Sequence, residues 1–189
     1  MKTLDTDQDV IRYIKGQHQH IKALMEAVQT SRGQARSQAF FELRRLMAVH
    51  ETAEEEIIHP AARRVLEGGD AIIAARLVEE RTAKEALIWL ERLDVDSAKF
   101  EAKFRALQRD VLAHAESEEN EELSALELHL DPEQLQRMRK AAEIAESLAP
   151  TRPHPGVESK AANVLAGPFA AMIDRTRDAL SSRQHRPHH

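Results

Sequence analysis

Residues 50 to 60 read HETAEEEIIHP, a stretch that combines the apolar spacing of a helix with a histidine and several glutamates. When the chain is followed at about 100° per residue, Leu43 and Met47 fall on the same side as His50. Glu54 is one helical turn beyond His50 and lies on that side too. An imidazole and a carboxylate therefore occupy the face of the helix that should be buried.

A later stretch of the chain repeats this arrangement. His114 and Glu118 are again four residues apart and share a helical face with Leu107 and Val111. Near the N-terminus, His18 lies in a row of apolar residues at helical spacing. Three predicted helices thus each direct a histidine toward the core, and two of them add a glutamate.

The composition favours helices over strands. The chain has 189 residues, only 4% of them aromatic, and six glycines. Four long apolar-periodic segments joined by short connections predict an all-α, antiparallel up-down-up-down four-helix bundle. Its helices are expected at about residues 9–30, 36–66, 70–92 and 98–129.

The pattern changes after residue 130, so we expect a bundle domain over residues 1–130 and a C-terminal helical extension over residues 131–189. A shorter helix is predicted from Pro132 to about Leu148, because Asp131 can cap a helix with proline in its first turn. The sequence APTRPHPGV predicts a proline-rich linker. A last helix over about 158–181 and a disordered tail with histidines at 185, 188 and 189 follow.

Charge and cysteine content exclude several classes of partner and site. The net charge of −5 gives no reason to expect nucleic acid or an anionic membrane as partner. There is no cysteine, so disulfides and thiolate metal sites are excluded. Without an apolar signal segment or a membrane-length run, a soluble cytoplasmic protein is the expectation. The sequence does not predict an oligomeric state.

Burying two carboxylates without partners is costly, so the two His–Glu pairs need an explanation. One interpretation is a metal-free core in which each histidine is hydrogen-bonded to its glutamate. The other is a metal site, in which one or two cations compensate both carboxylates and neutral imidazoles act as ligands. Nitrogen and oxygen donors without sulfur suit iron, manganese or zinc. Two carboxylates able to bridge favour a dinuclear site.

The other charged residues of the opening stretch are expected to face solvent. His59 lies about 180° from His50 by α-helical counting, which predicts that it is on the outer side and is not a ligand. The spacing of Glu56 and His59 matches the ExxH motif of ferritin-type sites, but only one copy is found. Glu51 is likewise expected to be solvated.

The three motifs together resemble the hemerythrin-like HHE cation-binding family. The similarity rests on His18 followed by xxIxxLM, on HETAEEEIIHPAARR and on HAESEENEE, and it covers about residues 9 to 130. The C-terminal segment is similar to extensions on actinobacterial members. The resemblance implies a four-helix bundle holding a non-haem di-iron centre, with His18, His50 and His114 as terminal ligands. Glu54 and Glu118 would bridge the two ions.

The third predicted helix departs from the family pattern because it contains no histidine. Arg81 stands near the expected position, and helical phase offers Glu80 as a substitute ligand on the inward face. Glu80 can equally pair with Arg76 or Lys84. The missing histidine argues against reversible O2 carriage and for redox reactivity or ligand turnover.

The functional prediction is a non-haem, di-iron protein that binds or reacts with O2, peroxide or nitric oxide, with catalase-like peroxide decomposition as a possible activity. Two alternatives remain open at this point. One is an iron buffer or a redox or oxygen sensor that performs no turnover. The other is a metal-free helical interaction module.

Overall fold

The computed structural model describes residues 9–149, and every regular element in that range is a helix. The five helices are α1 (Val10–Thr30), α2 (Gly33–Ala53, continuing through a π-helical turn at Glu54–Ile58 into His59–Val65), α3 (Gly69–Leu90), α4 (Ala98–Glu118, continuing through a π-helical turn at Glu119–Leu123 into Ser124–His129) and α5 (Pro132–Leu148). The prediction of an all-α bundle is confirmed. The expected helix at 158–181 and the expected tail lie outside the described residues.

Local sequence signals set the ends of these helices. The Ser97 side chain accepts a hydrogen bond from the backbone N–H of Phe100 at 3.2 Å and so caps α4. Asp131 and Gln134 form a reciprocal capping box at the start of α5. Between α2 and α3 the chain turns at Gly68, whose φ of 69° is a left-handed conformation that favours glycine.

The apolar core fills the half of the bundle that holds the α1–α2 and α3–α4 connections. Phe40 of α2 packs edge-on against Phe100 of α4, with ring centroids 5.1 Å apart. Arg36 is also buried here, and its guanidinium donates hydrogen bonds to the backbone carbonyls of Ser31 and Val95. These bonds join the α1–α2 connection to the α3–α4 connection and so fix the helix ends that meet in this half of the bundle.

Helix α5 packs against α1 and α2. Its inward face is apolar, with Met138, Ala142 and Ala145 all buried. Near its C-terminal end, Glu146 accepts hydrogen bonds from the side chains of Tyr13 and Gln17 on α1. Helix α5 therefore makes both apolar and polar contacts with its neighbouring helices.

The two π-helical turns occupy equivalent places in α2 and α4. One begins at Glu54 and the other directly after Glu118. A π-helical turn contains one more residue than an α-helical turn, so it rotates the following side chains by about 100° relative to α-helical counting. Within residues 9–149, no helix is both long enough and apolar enough to cross a membrane.

Candidate metal centre

The structure brings the six residues singled out in the sequence into one polar layer of the bundle. His18 comes from α1, His50 and Glu54 from α2, and His114 and Glu118 from α4, while Glu80 is supplied by α3. Five of the six are buried, and His114 is half-buried. The apolar core lies on one side of this layer, and the four helices enclose the six polar side chains between them.

Four of these side chains converge on one point. The Nε2 atom of His18 lies 3.2 Å from Oε2 of Glu118 and 3.5 Å from Oε1 of Glu54. The Nε2 atom of His50 lies 2.7 Å from the same Oε1 of Glu54. One donor atom from each of the four residues lies within 4.8 Å of the others. Two imidazoles and two carboxylates at this spacing can surround a single cation.

A second group of donor atoms shares Glu54 with the first. Glu54, Glu80 and His114 each place one donor atom within 4.8 Å of the others. Because a carboxylate has two oxygens, Glu54 can serve both groups at once. The arrangement offers two neighbouring cation positions, with the α3 carboxylate on the side where the family pattern would place a histidine.

The three histidines of these groups are all held in the same way. Nδ1 of His18 lies 2.8 Å from a carboxylate oxygen of Glu119. Nδ1 of His50 lies 2.7 Å from the amide oxygen of Gln17, and Nδ1 of His114 lies 2.8 Å from Glu79. When the imidazole is neutral, an oxygen at Nδ1 favours the tautomer that carries its proton there and leaves Nε2 as a lone-pair donor. This is how histidine ligands of metals are oriented.

Several buried oxygens in the layer have no hydrogen-bond partner. Both carboxylate oxygens of Glu54 and both of Glu118 are in this state, as is Oε2 of Glu80. Short distances to the imidazoles exist, but the Nε2 atom of His18 is itself without a hydrogen-bond partner. A buried carboxylate that lacks hydrogen bonds costs folding free energy, so this donor set fits a cation better than a set of His–Glu hydrogen bonds.

The protonation equilibria reflect the same crowding. Burial raises the pKa of Glu118, and the neighbouring carboxylate of Glu54 raises it further. Burial also raises the pKa of Glu54, but the imidazoles of His50 and His18 outweigh it and hold that pKa well below its usual range. Burial lowers the pKa of His18, yet Glu118 and Glu54 outweigh burial and raise that pKa to about 11. The buried carboxylates and imidazoles of the layer therefore shift one another's pKa values strongly.

The position of His59 contradicts the prediction that it faces outward. It is not on the outer side of α2, because the π-helical turn rotates it inward by about 100°, and only 2% of its surface is exposed. Its Nδ1 lies 2.8 Å from Oε2 of Glu122, and its Nε2 lies 2.5 Å from Oε1 of Glu80. Arg76 completes the chain by donating from Nε to the other oxygen of Glu122 at 3.1 Å.

The inward position of Glu122 was not foreseen from the sequence. It is fully buried and lies in the π-helical turn of α4, four residues after Glu118. His59, Glu118 and Glu122 form a third group of neighbouring donor atoms. Both nitrogens of His59 already contact carboxylates, so its geometry is that of a residue that positions Glu80 and Glu122.

Glu51 is a second correction. It was expected to be solvated, but only 4% of its surface is exposed. The ammonium of Lys84 lies 3.3 Å from Glu51 and 2.5 Å from Glu55. The ammonium of Lys84 on α3 therefore compensates the buried carboxylate of Glu51 on α2. Burial raises the pKa of Glu51 well above its usual value.

The geometry of α3 bears on the alternatives for Glu80. Arg76 contacts Glu79, Glu121 and Glu122, and Lys84 contacts two α2 carboxylates. Glu80 instead meets the imidazole of His59. Arg81 is exposed, whereas Glu80 is buried, so the inward-facing polar residue of α3 at this level is the carboxylate.

Comparisons with known proteins agree with this geometry. The family model described as the hemerythrin HHE cation-binding domain matches residues 9–126. A hemerythrin-like protein of Schizosaccharomyces pombe is 28% identical over 171 residues, covering 89% of this chain and 81% of that protein.

A solved structure, that of a hemerythrin HHE cation-binding domain-containing protein from Mycobacterium kansasii, has the same fold. It superposes with a TM-score of 0.65 at 19% identity, over 89% of this chain and 99% of the other. The expected resemblance is confirmed. With its helical bundle, its buried His–Glu layer and a family match over most of the described residues, this chain belongs to the hemerythrin HHE cation-binding domain family.

Proposed function

We propose that this protein holds two non-haem iron ions in the polar layer and that the centre binds or reacts with O2, peroxide or nitric oxide. His18 and His50 would be terminal ligands of one ion, and His114 and Glu80 of the other. Glu54 and Glu118 would be the carboxylates between the two ions. Iron bound there supplies a redox-active, ligand-binding centre.

The observation that carries this proposal is the set of buried oxygens without hydrogen bonds. Glu54 and Glu118 are 0% exposed, and all four of their carboxylate oxygens lack a hydrogen-bond partner. Buried carboxylates are normally paired or bound to metal. A metal-free interaction module would have to offset both buried carboxylates with the imidazoles of His18 and His50, which lie 2.7–3.5 Å away without hydrogen-bond geometry, so the donor set supports metal binding over a purely structural polar core.

Iron is the metal that the family membership and the donor atoms favour together. The layer offers imidazole nitrogens and carboxylate oxygens, and the sequence has no cysteine. Such donors also suit manganese and zinc, but a dinuclear site with bridging carboxylates in a helical bundle is typical of iron. Iron is therefore the metal of the proposal.

Glu80 bears on the kind of reactivity. A carboxylate on α3 gives its ion one more negative charge than a histidine would, which stabilises the more oxidised, more positive state of the metal. The contact between Glu80 and His59 at 2.5 Å holds this carboxylate toward the layer. These features favour redox turnover over reversible carriage of O2.

The direct test compares the iron-loaded protein with a variant that lacks the shared carboxylate. Hydrogen peroxide consumption, measured as O2 release, is expected in the wild-type protein and is expected to fall to the level of free iron in Glu54→Ala. Glu56→Ala on the same helix serves as the matched control. Stable iron binding without consumption of peroxide, O2 or nitric oxide would favour a buffer or sensor and contradict turnover.

Histidines near the end of the chain require a further control. His185, His188 and His189 can bind metal ions non-specifically. A variant with alanine at these three positions is expected to keep the full iron content and the full reactivity. Loss of iron in that variant would assign the metal to the tail and would contradict the proposed centre.

A further inference from the structure

A cavity of about 260 Å³ extends from the polar layer to the surface between α3 and α4. Its buried end is formed by the donor side chains His50, Glu54 and Glu80, together with His114. Its other end is formed by exposed residues, among them Val78, of which 58% is exposed. The polar layer is thus connected with solvent on one side of the bundle.

The wall between the two ends is apolar. It is formed by Ile21, Met47, Ala83, Ala86, Leu107 and Val111. Outside the donor set, the charged residues of the lining are the exposed Glu79, Lys103 and Asp110 and the buried Glu51. A ligand that enters must therefore pass apolar surface before its reactive end reaches the carboxylates.

The volume is larger than an inorganic ligand requires. O2, nitric oxide and hydrogen peroxide are each comparable in size with one or two water molecules, which occupy about 30 Å³ each in the liquid. Apolar cavities of about 150 Å³ in other proteins bind benzene. A cavity of 260 Å³ can therefore accommodate an aromatic ring or a branched alkyl group beside the oxygen atoms at its inner end.

We propose that this cavity selects a small organic hydroperoxide, with the alkyl or aryl part against the apolar wall and the oxygen end at Glu54 and Glu80. The inference rests on the proposed function, because it names the substrate class of that same centre. It concerns binding, which a non-reactive alcohol of the same shape can report. The polar end matches the carboxylates and imidazoles, and the apolar body matches the residues between them and the surface.

The probe is 2-phenyl-2-propanol, an alcohol with the carbon skeleton of an aryl hydroperoxide. Met47 lines the cavity, whereas Met25 and Met138 are buried elsewhere. In full-length protein with 13C-labelled methionine methyl groups, metal-free and zinc-loaded, the Met47 signal is expected to shift and saturate. The expected dissociation constant is about 1 mM or lower, the affinity of a ten-atom ligand of modest efficiency. The Met25 and Met138 signals should not move.

A variant that fills the cavity tests the location. Ala83→Leu adds volume to the wall and is expected to weaken binding about tenfold or more, since the ligand and the new side chain compete for one space. Ala75→Leu on the exposed side of the same helix is the matched control and should bind as the wild type does. Methanol, which has the polar end without the apolar body, should not shift Met47.

The outcomes separate the two proposals. Iron content measured on the same preparations reports the metal centre independently of ligand binding. If iron binds but 2-phenyl-2-propanol does not shift Met47, or binds equally to Ala83→Leu, the hydroperoxide proposal is wrong and the metal proposal stands. If the alcohol binds with the expected pattern but iron does not, the cavity binds apolar alcohols and both proposals about the centre fail.

Discussion

The Nε2 atom of His59 lies 2.5 Å from Oε1 of Glu80, joining a histidine of α2 to a carboxylate of α3 inside the bundle. On its other side, His59 contacts Glu122, which also accepts from Arg76. These contacts, which run from Glu80 through His59 and Glu122 to Arg76, hold the two carboxylates in fixed positions.

Replacing His59 tests its contacts with Glu80 and Glu122. His59→Leu leaves Glu80 and Glu122 without their imidazole and is expected to lower the free energy of unfolding by about 3–5 kcal/mol, as breaking a buried charge pair does. Urea denaturation measures this loss. His20→Leu is the matched control, because His20 is exposed on α1 and its replacement should change stability by less than about 0.5 kcal/mol. Equal effects in the two variants would contradict a positioning role.

Removing the metal should reveal the cost of the buried carboxylates. In the metal-free protein, Glu118→Gln is expected to raise the free energy of unfolding by about 1–3 kcal/mol, because an amide removes the cost of burying a carboxylate and the repulsion from Glu54. The same substitution should abolish the stabilisation that added metal gives the wild type. Glu116→Gln, on the exposed side of α4, should do neither. A metal-free Glu118→Gln protein less stable than wild type would show that the carboxylate is a structural partner.

The amide of Gln17 is expected to tune metal affinity without being a ligand. It accepts from Nδ1 of His50 at 2.7 Å and donates to Glu146 at 2.7 Å. Gln17→Ala should weaken metal binding about 10–100-fold, the usual loss when the partner of a histidine ligand is removed. Competition with a chromogenic chelator measures the affinity. Gln19→Ala, an exposed glutamine on the same helix, should bind metal as the wild type does.

The ionisation of Tyr13 should report the docking of α5. Burial and the hydrogen bond to Glu146 raise the pKa of Tyr13 well above its ordinary value of about 10. A raised pKa stabilises the folded protein below pH 10, and this contribution is lost as the pH rises toward the folded-state pKa. Because the chain has one tyrosine, tyrosinate absorbance follows this residue alone. Glu146→Gln should shift the titration to lower pH, and an unshifted titration would contradict the contact.

The bundle could be predicted from the sequence because its signals are local. Apolar periodicity and helix caps predicted the five helices of residues 9–149 closely, and helical phase placed His50 and Glu54 on the same inward face. Phase also singled out Glu80 as the inward residue of α3, where the histidine of the family pattern is missing. Its role as a ligand remains a prediction.

The positions of His59 and Glu51 could not be predicted in this way. Two π-helical turns shift the phase of α2 and α4, and no single residue in the sequence signals such a turn. Counting at a constant 100° per residue therefore placed His59 outside. Glu122 lies only about 40° from Glu118 by the same counting, so the sequence carried a signal for its inward position that was not used. Glu51 was misjudged because its compensating cation, Lys84, comes from another helix.

The central claim is that the buried layer binds two metal ions that share the carboxylates of Glu54 and Glu118. It is tested most directly by the iron-to-protein ratio of full-length protein, loaded with ferrous iron and freed of weakly bound metal, with the tail histidines at 185, 188 and 189 replaced by alanine. Two ions per chain are predicted, falling to none or one in Glu54→Ala and unchanged in Glu56→Ala. A protein without iron, or one whose iron content survives Glu54→Ala, would contradict the account.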